Sequence, residues 1–312
     1  MPGIGIIANP HSKLNKRNPA QGEMLGYILG QKGQLRMTNS LAELAQVAKE
    51  FKRQAIDILA INGGDGTVSR TITAFVQAYG DDPLPPVALL KGGTMNAVAG
   101  NLGLRGGPEE ILYRLVEAFS SHSGLRLQPI RTLVVEGSIG FIFANGAATN
   151  FLREFYKKKT GPLGALALIL KTYWNGVSKN PRYADIISSN PYTLTGPSPD
   201  SHELALTQES VCMMAATVPK LPLGAPLFSR KWLGANEIRL ASFIDDPRDL
   251  LWRLPAYLFS GWRDPRIFKR TYESLDVGSD SPFWYTIDGE LFESQTNTVR
   301  LTLGRSIDFV VV

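Results

Sequence analysis

The sequence predicts two domains: an α/β nucleotide-binding domain with a parallel sheet over residues 1–124, then a mainly antiparallel β-sandwich over residues 125–312. Three observations predict this division. The chain has 312 residues, more than one hydrophobic core usually serves. Strand-like and helix-like stretches alternate with short links up to about Gly124, the pattern of a parallel sheet covered by helices. Beyond it the stretches become short and β-like, with long links rich in Pro, Gly and Ser. The final segment is free to return to the first domain.

In the first domain, Gly3–Ala8 reads as a strand ending at Asn9-Pro10, Pro19–Leu29 as a helix and Gln34–Met37 as a strand. Leu41–Arg53 reads as a helix: Ser40 is placed to cap it, Glu43 to reach back, and Leu41, Leu44, Ala45, Ala48 and Phe51 make an apolar face. Ile56–Ile61 and Val87–Leu90 are apolar strands, and Thr67–Tyr79 and Glu109–Ser120 are helices. Each apolar strand runs into a glycine loop, Gly63-Gly64-Asp65-Gly66-Thr67 and Gly92-Gly93-Thr94-Met95-Asn96. A glycine loop at the carboxyl end of a buried strand lets the backbone approach a phosphate chain, with helix N–H groups behind it. Asn9, Thr38, Asp65 and Thr94 each follow a strand, so one edge of the sheet should gather them. In the second domain, Leu127–Val135, Phe141–Ala144, Ala184–Ser188, Glu209–Ala216, Glu237–Phe243 and Thr298–Leu303 read as strands, and Ser188–Ser201 as a link.

Composition narrows the function classes. A net charge of +5 suits an anionic partner such as a nucleotide or a membrane surface. One cysteine, Cys212 in an apolar run, excludes an internal disulfide, fits a reducing compartment and reads as packing. Three histidines and one cysteine offer no good zinc set. No signal peptide, low-complexity tract or repeat is visible, and Gly161–Leu170 is about half of what a spanning helix needs. These features predict a cytoplasmic protein, peripheral at a membrane if it touches one, without a transmembrane segment. Nucleic acid is not an expected partner, since there is no recognition motif or long basic stripe. Oligomeric state is not readable.

Among chemistry-bearing residues Asp65 stands first. Beside a triphosphate its carboxylate could hold Mg²⁺ or orient a hydroxyl; the structural alternative is a helix-capping turn. Thr67 and Thr94 could each bond a phosphate oxygen or act as N-caps, and Asn96 could bind nucleotide or cap its helix. Near the C-terminus, Asp288-Gly289 reads as a hairpin turn. Glu290 beside it could serve as a general base if it faces the nucleotide. Arg153–Arg182 carries seven Lys/Arg against one Glu around Gly161–Leu170, and Arg248–Arg270 mixes six Lys/Arg with aromatics. The first of these could form an interfacial patch or only a solvated face.

These motifs, in this order, resemble the diacylglycerol kinase catalytic family, which includes sphingosine and ceramide kinases and bacterial lipid kinases. Asn9-Pro10 with Ser12 resembles its opening Asn-Pro-x-Ser-Gly, and Thr38 falls at its nucleotide-contacting threonine. Gly63–Thr67 matches its Gly-Gly-Asp-Gly-Thr, and Gly93-Thr94-Met95-Asn96 its Gly-Thr-x-Asn. Phe143-Ala144-Asn145-Gly146 resembles its Asn-Gly turn, Lys157–Leu170 its basic helix start, and Asp288-Gly289-Glu290 its terminal Asp-Gly-Glu. The first signature is shared with NAD kinases and phosphofructokinases; the ordered set is far more specific.

The resemblance implies an active site in the interdomain cleft, ATP and Mg²⁺ as cosubstrates, and a lipid primary hydroxyl as acceptor. It implies nucleotide binding by Asn9, Thr38, Gly63, Gly64, Asp65, Gly66, Thr67, Gly93, Thr94 and Asn96. Glu290 becomes the general base and Asp65 its companion at the phosphate and its metal. The chain departs from the pattern at Lys13, where the family has Gly, and at Arg70, where it has an acidic residue. Trp232-Leu233-Gly234-Ala235-Asn236 replaces an Asp-Asp-Gly turn, so the family's structural metal site is expected to be missing. Two alternatives stay open: a kinase of a soluble hydroxyl substrate, and a nucleotide- or lipid-binding protein without catalysis.

Overall fold

The computed structural model describes residues 3–93, 96–121, 124–157, 187–200, 205–221, 226–228, 233–244 and 267–312. They fall into two compact units. One holds Met1–Ile130 and Arg305–Val312, the other Arg131–Leu221 and Ala225–Gly304.

The first unit runs β1 (Ile4–Ala8), α1 (Lys13–Arg17), α2 (Gln21–Leu29), β2 (Gly33–Met37), α3 (Leu41–Gln54), β3 (Ile58–Asn62), α4 (Asp65–Tyr79), β4 (Val87–Leu89), α5 (Ala97–Leu102) and α6 (Pro108–Ser120). Its strand order is β2-β1-β3-β4, all parallel. Phe309 near the chain's end pairs Val87 as a further parallel partner. β1 and β3 are buried at every position, as expected of central strands covered on both faces. Ala8 pairs both Met37 and Asn62, and Ile61 pairs Leu89, so the strands stop level and their following loops emerge on one edge.

α3 shows how local chemistry sets a boundary. Glu43 N–H donates to Ser40 Oγ at 3.1 Å, and Asn39 N–H donates to Glu43 Oε2 at 2.7 Å. The reach-back bond thus lands one residue before the cap. Leu44, Ala48 and Phe51 are buried, whereas Leu41, expected on the same face, is 61% exposed at the helix's first position. Phe51 meets Phe75 edge-on at 6.4 Å, and Phe75 stacks on Tyr79 at 5.8 Å, joining α3 to α4.

The second unit runs from β5 (Arg126–Val135), whose first residues lie in the first unit, through β6 (Ser138–Gly140), β7 (Ile142–Asn145), α7 (Ala147–Lys157), β8 (Asn190–Thr195), β9 (Ala205–Ser210) and β10 (Cys212–Ala216). It continues with β11 (Ile238–Phe243), β12 (Ile267–Tyr272), β13 (Ser274–Gly278), β14 (Trp284–Ile287), β15 (Glu290–Glu293) and β16 (Thr298–Val311), which ends in the first unit. One sheet, β12-β11-β10-β7-β14-β15, is antiparallel throughout. Opposite it, β16, β13, β8 and β9 pair antiparallel in that order. Leu194, Leu275, Val277, Val299 and Leu301 of that set share one core with Phe143, Met213, Leu240, Tyr285 and Ile287 of the six-stranded sheet. Two inner faces closing one core make a sandwich.

The structure corrects several expected elements here. Ser188–Ser201, read as a link, contains β8, whose Tyr192 and Leu194 point alternately into the core; Pro191 hides that alternation in the sequence. Glu209–Ala216 is two strands of different sheets. The chain turns at Ser210-Val211, where Ser210 Oγ donates to the Cys212 and Phe243 carbonyls. Ala184–Ser188 falls partly outside the described residues, and Ile187–Ser188 is not strand. Thr298–Leu303 continues to Val311, β12 and β13 are additional strands, and β14 and β15 are the two arms of the hairpin expected at Asp288-Gly289. Cys212 is buried and its thiol is pushed up to about 12, consistent with packing.

Two glycine substitutions should separate backbone strain from helix propensity. Gly146, with φ +61°, joins β7 to α7, and a Cβ there would overlap the Val211 carbonyl. Gly146→Ala should cost about 2–4 kcal/mol in urea unfolding. Gly26 lies inside α2 with nothing within 4 Å of a Cβ. Gly26→Ala should add about 0.5–1 kcal/mol.

Candidate nucleotide site and the Asp-Gly-Glu hairpin

The edge of the first sheet is organised by side-chain amides. Asn9, just past β1, donates from Nδ2 to Thr67 Oγ1 at 2.9 Å, tying the first loop of the chain to the third residue of α4. Its Oδ1 accepts from His11 N–H at 2.8 Å, an Asx turn that sends the chain over the sheet edge. Asn15 donates to the Asn9 carbonyl at 2.6 Å and accepts from Asn62 Nδ2 at 3.2 Å. Thr38 is buried after β2, its N–H bonded to the Ala8 carbonyl at 3.1 Å. A cleft of about 210 Å³ opens beside these loops, lined by Ala8, Pro10, Asn15, Lys16, Met37 and Asn62 among others.

The two glycine loops pack against each other. A Cβ on Gly93 would overlap Gly64 Cα and stand 3.0 Å from Gly64 N. Only glycine permits this approach. Gly64 is the N-cap residue of α4, in extended conformation, and no side chain caps that helix. The first N–H groups of α4 therefore lack intrahelical acceptors, as an anion site requires. Thr67 is not an N-cap, since the helix starts at Asp65. Asn96 does not cap α5 through its side chain either. It adopts a left-handed conformation and folds back on its own loop, accepting from Gly93 N–H at 3.2 Å and donating to the Gly93 carbonyl at 2.8 Å.

Asp65 crosses from one loop to the other helix. Its Oδ1 accepts from Ala97 N–H, the first residue of α5, at 2.7 Å. The carboxylate therefore caps α5, not the helix it begins. Burial nevertheless raises its pKa from 3.8 to about 6, outweighing the backbone N–H groups that lower it. Arg70 lies on the exposed side of α4.

In the second unit, Asp288 (φ +49°) and Gly289 (φ +89°) form the two-residue turn between β14 and β15, with Ile287 paired to Glu290. Two positive φ values mark the primed turn that suits hairpin twist. The Asp288 carboxylate accepts from Phe141 N–H at 3.1 Å and Ile142 N–H at 3.0 Å, and Asp288 N–H donates to the Ile142 carbonyl at 2.9 Å. Asp288 is thus a structural anchor for the turn that precedes Glu290. Glu290 is half-buried. The Asn145 side chain accepts from Met213 N–H at 3.1 Å, and Ala147 N–H bonds the Val211 carbonyl at 2.8 Å, fixing the start of α7.

The structure therefore gathers Asn9, Gly63, Gly64, Asp65, Gly66, Thr67, Gly93 and Asn96 on one sheet edge with Thr38, while Glu290 belongs to the other unit. Thr94 lies outside the described residues, as do Lys158–Leu170, Trp232 and most of Arg248–Arg270. Asn15 and Asn62 were not singled out from the sequence. Asn62 is 1% exposed, and its Oδ1 has no hydrogen-bond partner among the described residues. A lone amide closing an otherwise apolar strand was the available signal. No described helix is long and apolar enough to cross a membrane.

Residues 4–124 match the family model of the diacylglycerol kinase catalytic domain, the segment that holds both glycine loops. The fold recurs in a diacylglycerol kinase from Bacillus anthracis str. Sterne, with a TM-score of 0.67 at 14% identity over 99% of this chain and 97% of that one. Two further structures from the same organism give TM-scores of 0.71 at 16% and 17% identity, covering 99% of this chain and 97% and 98% of theirs. At such identities the likeness is one of fold. No curated protein sequence gives a significant match.

The raised pKa of Asp65 has a stability signature. The native state holds this proton more tightly than the unfolded chain, so the stabilisation is complete below the unfolded value of 3.8 and is lost as pH rises through about 6. A shift of that size corresponds to about 3 kcal/mol, reduced to about 1–2 kcal/mol by residual exposure. Asp65→Asn keeps an acceptor for Ala97 N–H and removes the titration. Its stability relative to wild type should rise by about 1–2 kcal/mol between pH 4 and pH 8 in urea unfolding.

Proposed function

We propose that this protein is an ATP-dependent lipid kinase that transfers the γ-phosphate of ATP to a primary hydroxyl of a lipid, such as diacylglycerol or a sphingoid base, at a membrane surface. The observation that carries the proposal is the contact of the two glycine loops, Gly64 against Gly93, inside the segment that matches the diacylglycerol kinase catalytic domain. That contact sets the second loop beside the start of α4, which no side chain caps, an arrangement suited to a phosphate chain.

The transferred phosphoryl group would come from bound ATP, and a Mg²⁺ carried with it, held beside Asp65, would offset the charge that develops on its oxygens. Asn9 and Thr38 border the nucleotide, and Gly63–Thr67 with Gly93, Thr94 and Asn96 cradle its phosphates. Asp65 Oδ1 is engaged by α5, so its first role is to hold the two loops together at the phosphate and its metal. Glu290 accepts the proton of the lipid hydroxyl as that oxygen attacks the γ-phosphorus in line, while the bond from that phosphorus to the β,γ-bridging oxygen breaks and ADP leaves. Catalysis is then mainly positioning and charge stabilisation. The basic and apolar sequence from Lys157 to Leu170 suits an anionic lipid surface.

The test is labelled-ATP transfer to a lipid panel in mixed micelles, with Asp65→Asn and Glu290→Gln in parallel. The expected result is a labelled lipid, nearly abolished in both variants. Glu290→Gln should lower kcat by about 10²–10⁴ while leaving ATP affinity within about threefold. Full turnover in Glu290→Gln would remove it from the base role. Turnover of a soluble acceptor without micelles would favour the soluble-substrate kinase, and ATP binding without transfer the binding protein.

A further inference from the structure

The hairpin turn before Glu290 is held from two directions, and only one hold belongs to the Asp-Gly-Glu motif. Asp288 is bonded to the start of β7 through three hydrogen bonds to Phe141 and Ile142. Gly289 is held from α7. Tyr156, in the last turn of that helix, donates its hydroxyl to the Gly289 carbonyl at 2.8 Å. One turn earlier, the Arg153 guanidinium lies 4.7 Å from the centre of the Trp284 ring, at the start of β14. Residues three apart share a helix face, so α7 grips both ends of β14 along one line. The helix itself is fixed at its start by the Ala147 bond to Val211 and by Thr149 Oγ1 donating to the Gly146 carbonyl at 2.7 Å.

We propose that Tyr156 is a positioning residue for Glu290, a role that rests on the proposed function of Glu290 as base. The Gly289 carbonyl belongs to the peptide that leads into Glu290, so a bond to it limits rotation of that peptide and with it the direction of the Glu290 side chain. The two groups also sense each other electrostatically: burial and then the Glu290 charge raise the Tyr156 hydroxyl pKa. The hydroxyl therefore stays protonated and remains a donor across the physiological range. Tyr156 is 50% exposed, so replacing it with Phe removes the donor without opening a cavity.

The experiment compares wild type with Tyr156→Phe by amide hydrogen exchange over residues 284–293 and by steady-state lipid phosphorylation. A net hydrogen bond of ordinary strength predicts about three- to tenfold faster exchange at the Asp288–Glu290 turn. It predicts a similar loss in kcat, with the KM for ATP unchanged and the Tm within about 2 °C. The split between kcat and KM separates positioning from loss of the fold. Wild-type exchange at the turn overturns the proposal, and so does faster exchange with wild-type kcat. Should wild type transfer phosphate to no lipid, the kinase reading fails, and the exchange measurement alone decides whether Tyr156 fixes the turn.

Discussion

The candidate site depends on one close approach, that of the Gly64 and Gly93 backbones. β3 and β4 are neighbours whose ends are level, so their loops leave the sheet side by side. Without side chains at 64 and 93 the loops touch, and this lets Asp65 reach Ala97 on the next helix at 2.7 Å. That bond caps α5, and Asn96 staples the second loop onto itself. Asn9 ties the loop after β1 to Thr67 and brings a third strand end into the same frame. Each link is a single hydrogen bond of modest net strength. The sheet register already places these partners within reach of one another.

Asp65 shows how one carboxylate answers to opposing demands. Backbone N–H groups favour its ionised form, whereas burial opposes it, and burial wins, with a pKa of about 6. A carboxylate poised near neutrality inside a glycine loop is costly to keep, which is a common mark of functional positions. The second unit treats Asp288 differently. It accepts from Phe141 and Ile142 N–H groups at a turn whose backbone already demands positive φ. It works as an anchor for the turn that leads into Glu290.

Much of the first unit was legible in the sequence, since its strands are uninterrupted apolar runs and its helices carry local signals. Ser40 with Glu43 marks the start of α3. The sandwich was legible as a class but not strand by strand. Its strands are short, Pro191 breaks the alternation of β8, and the turn at Ser210-Val211 between sheets has no mark in an apolar run. Leu41 failed for a related reason, because a helix's first residue can lie beyond the layer it would cover. At the site, the order of strands and loops could be read along the chain. The partners of Asp65, Asn96 and Asn62 could not, because each depends on contacts between loops far apart in sequence. Tyr156 was equally hidden: its acceptor is a backbone carbonyl 133 residues away.

The kinase proposed above stands or falls on whether the touching glycine loops receive the phosphates of a nucleotide. Calorimetric titration of Mg²⁺-ATP into wild type and Gly93→Ala tests it most directly, with circular dichroism confirming that the variant is folded. Wild type should bind, and the folded variant should lose at least about tenfold in affinity, because a Cβ at 93 forces the loops apart. A folded Gly93→Ala protein that binds Mg²⁺-ATP with wild-type affinity would contradict it.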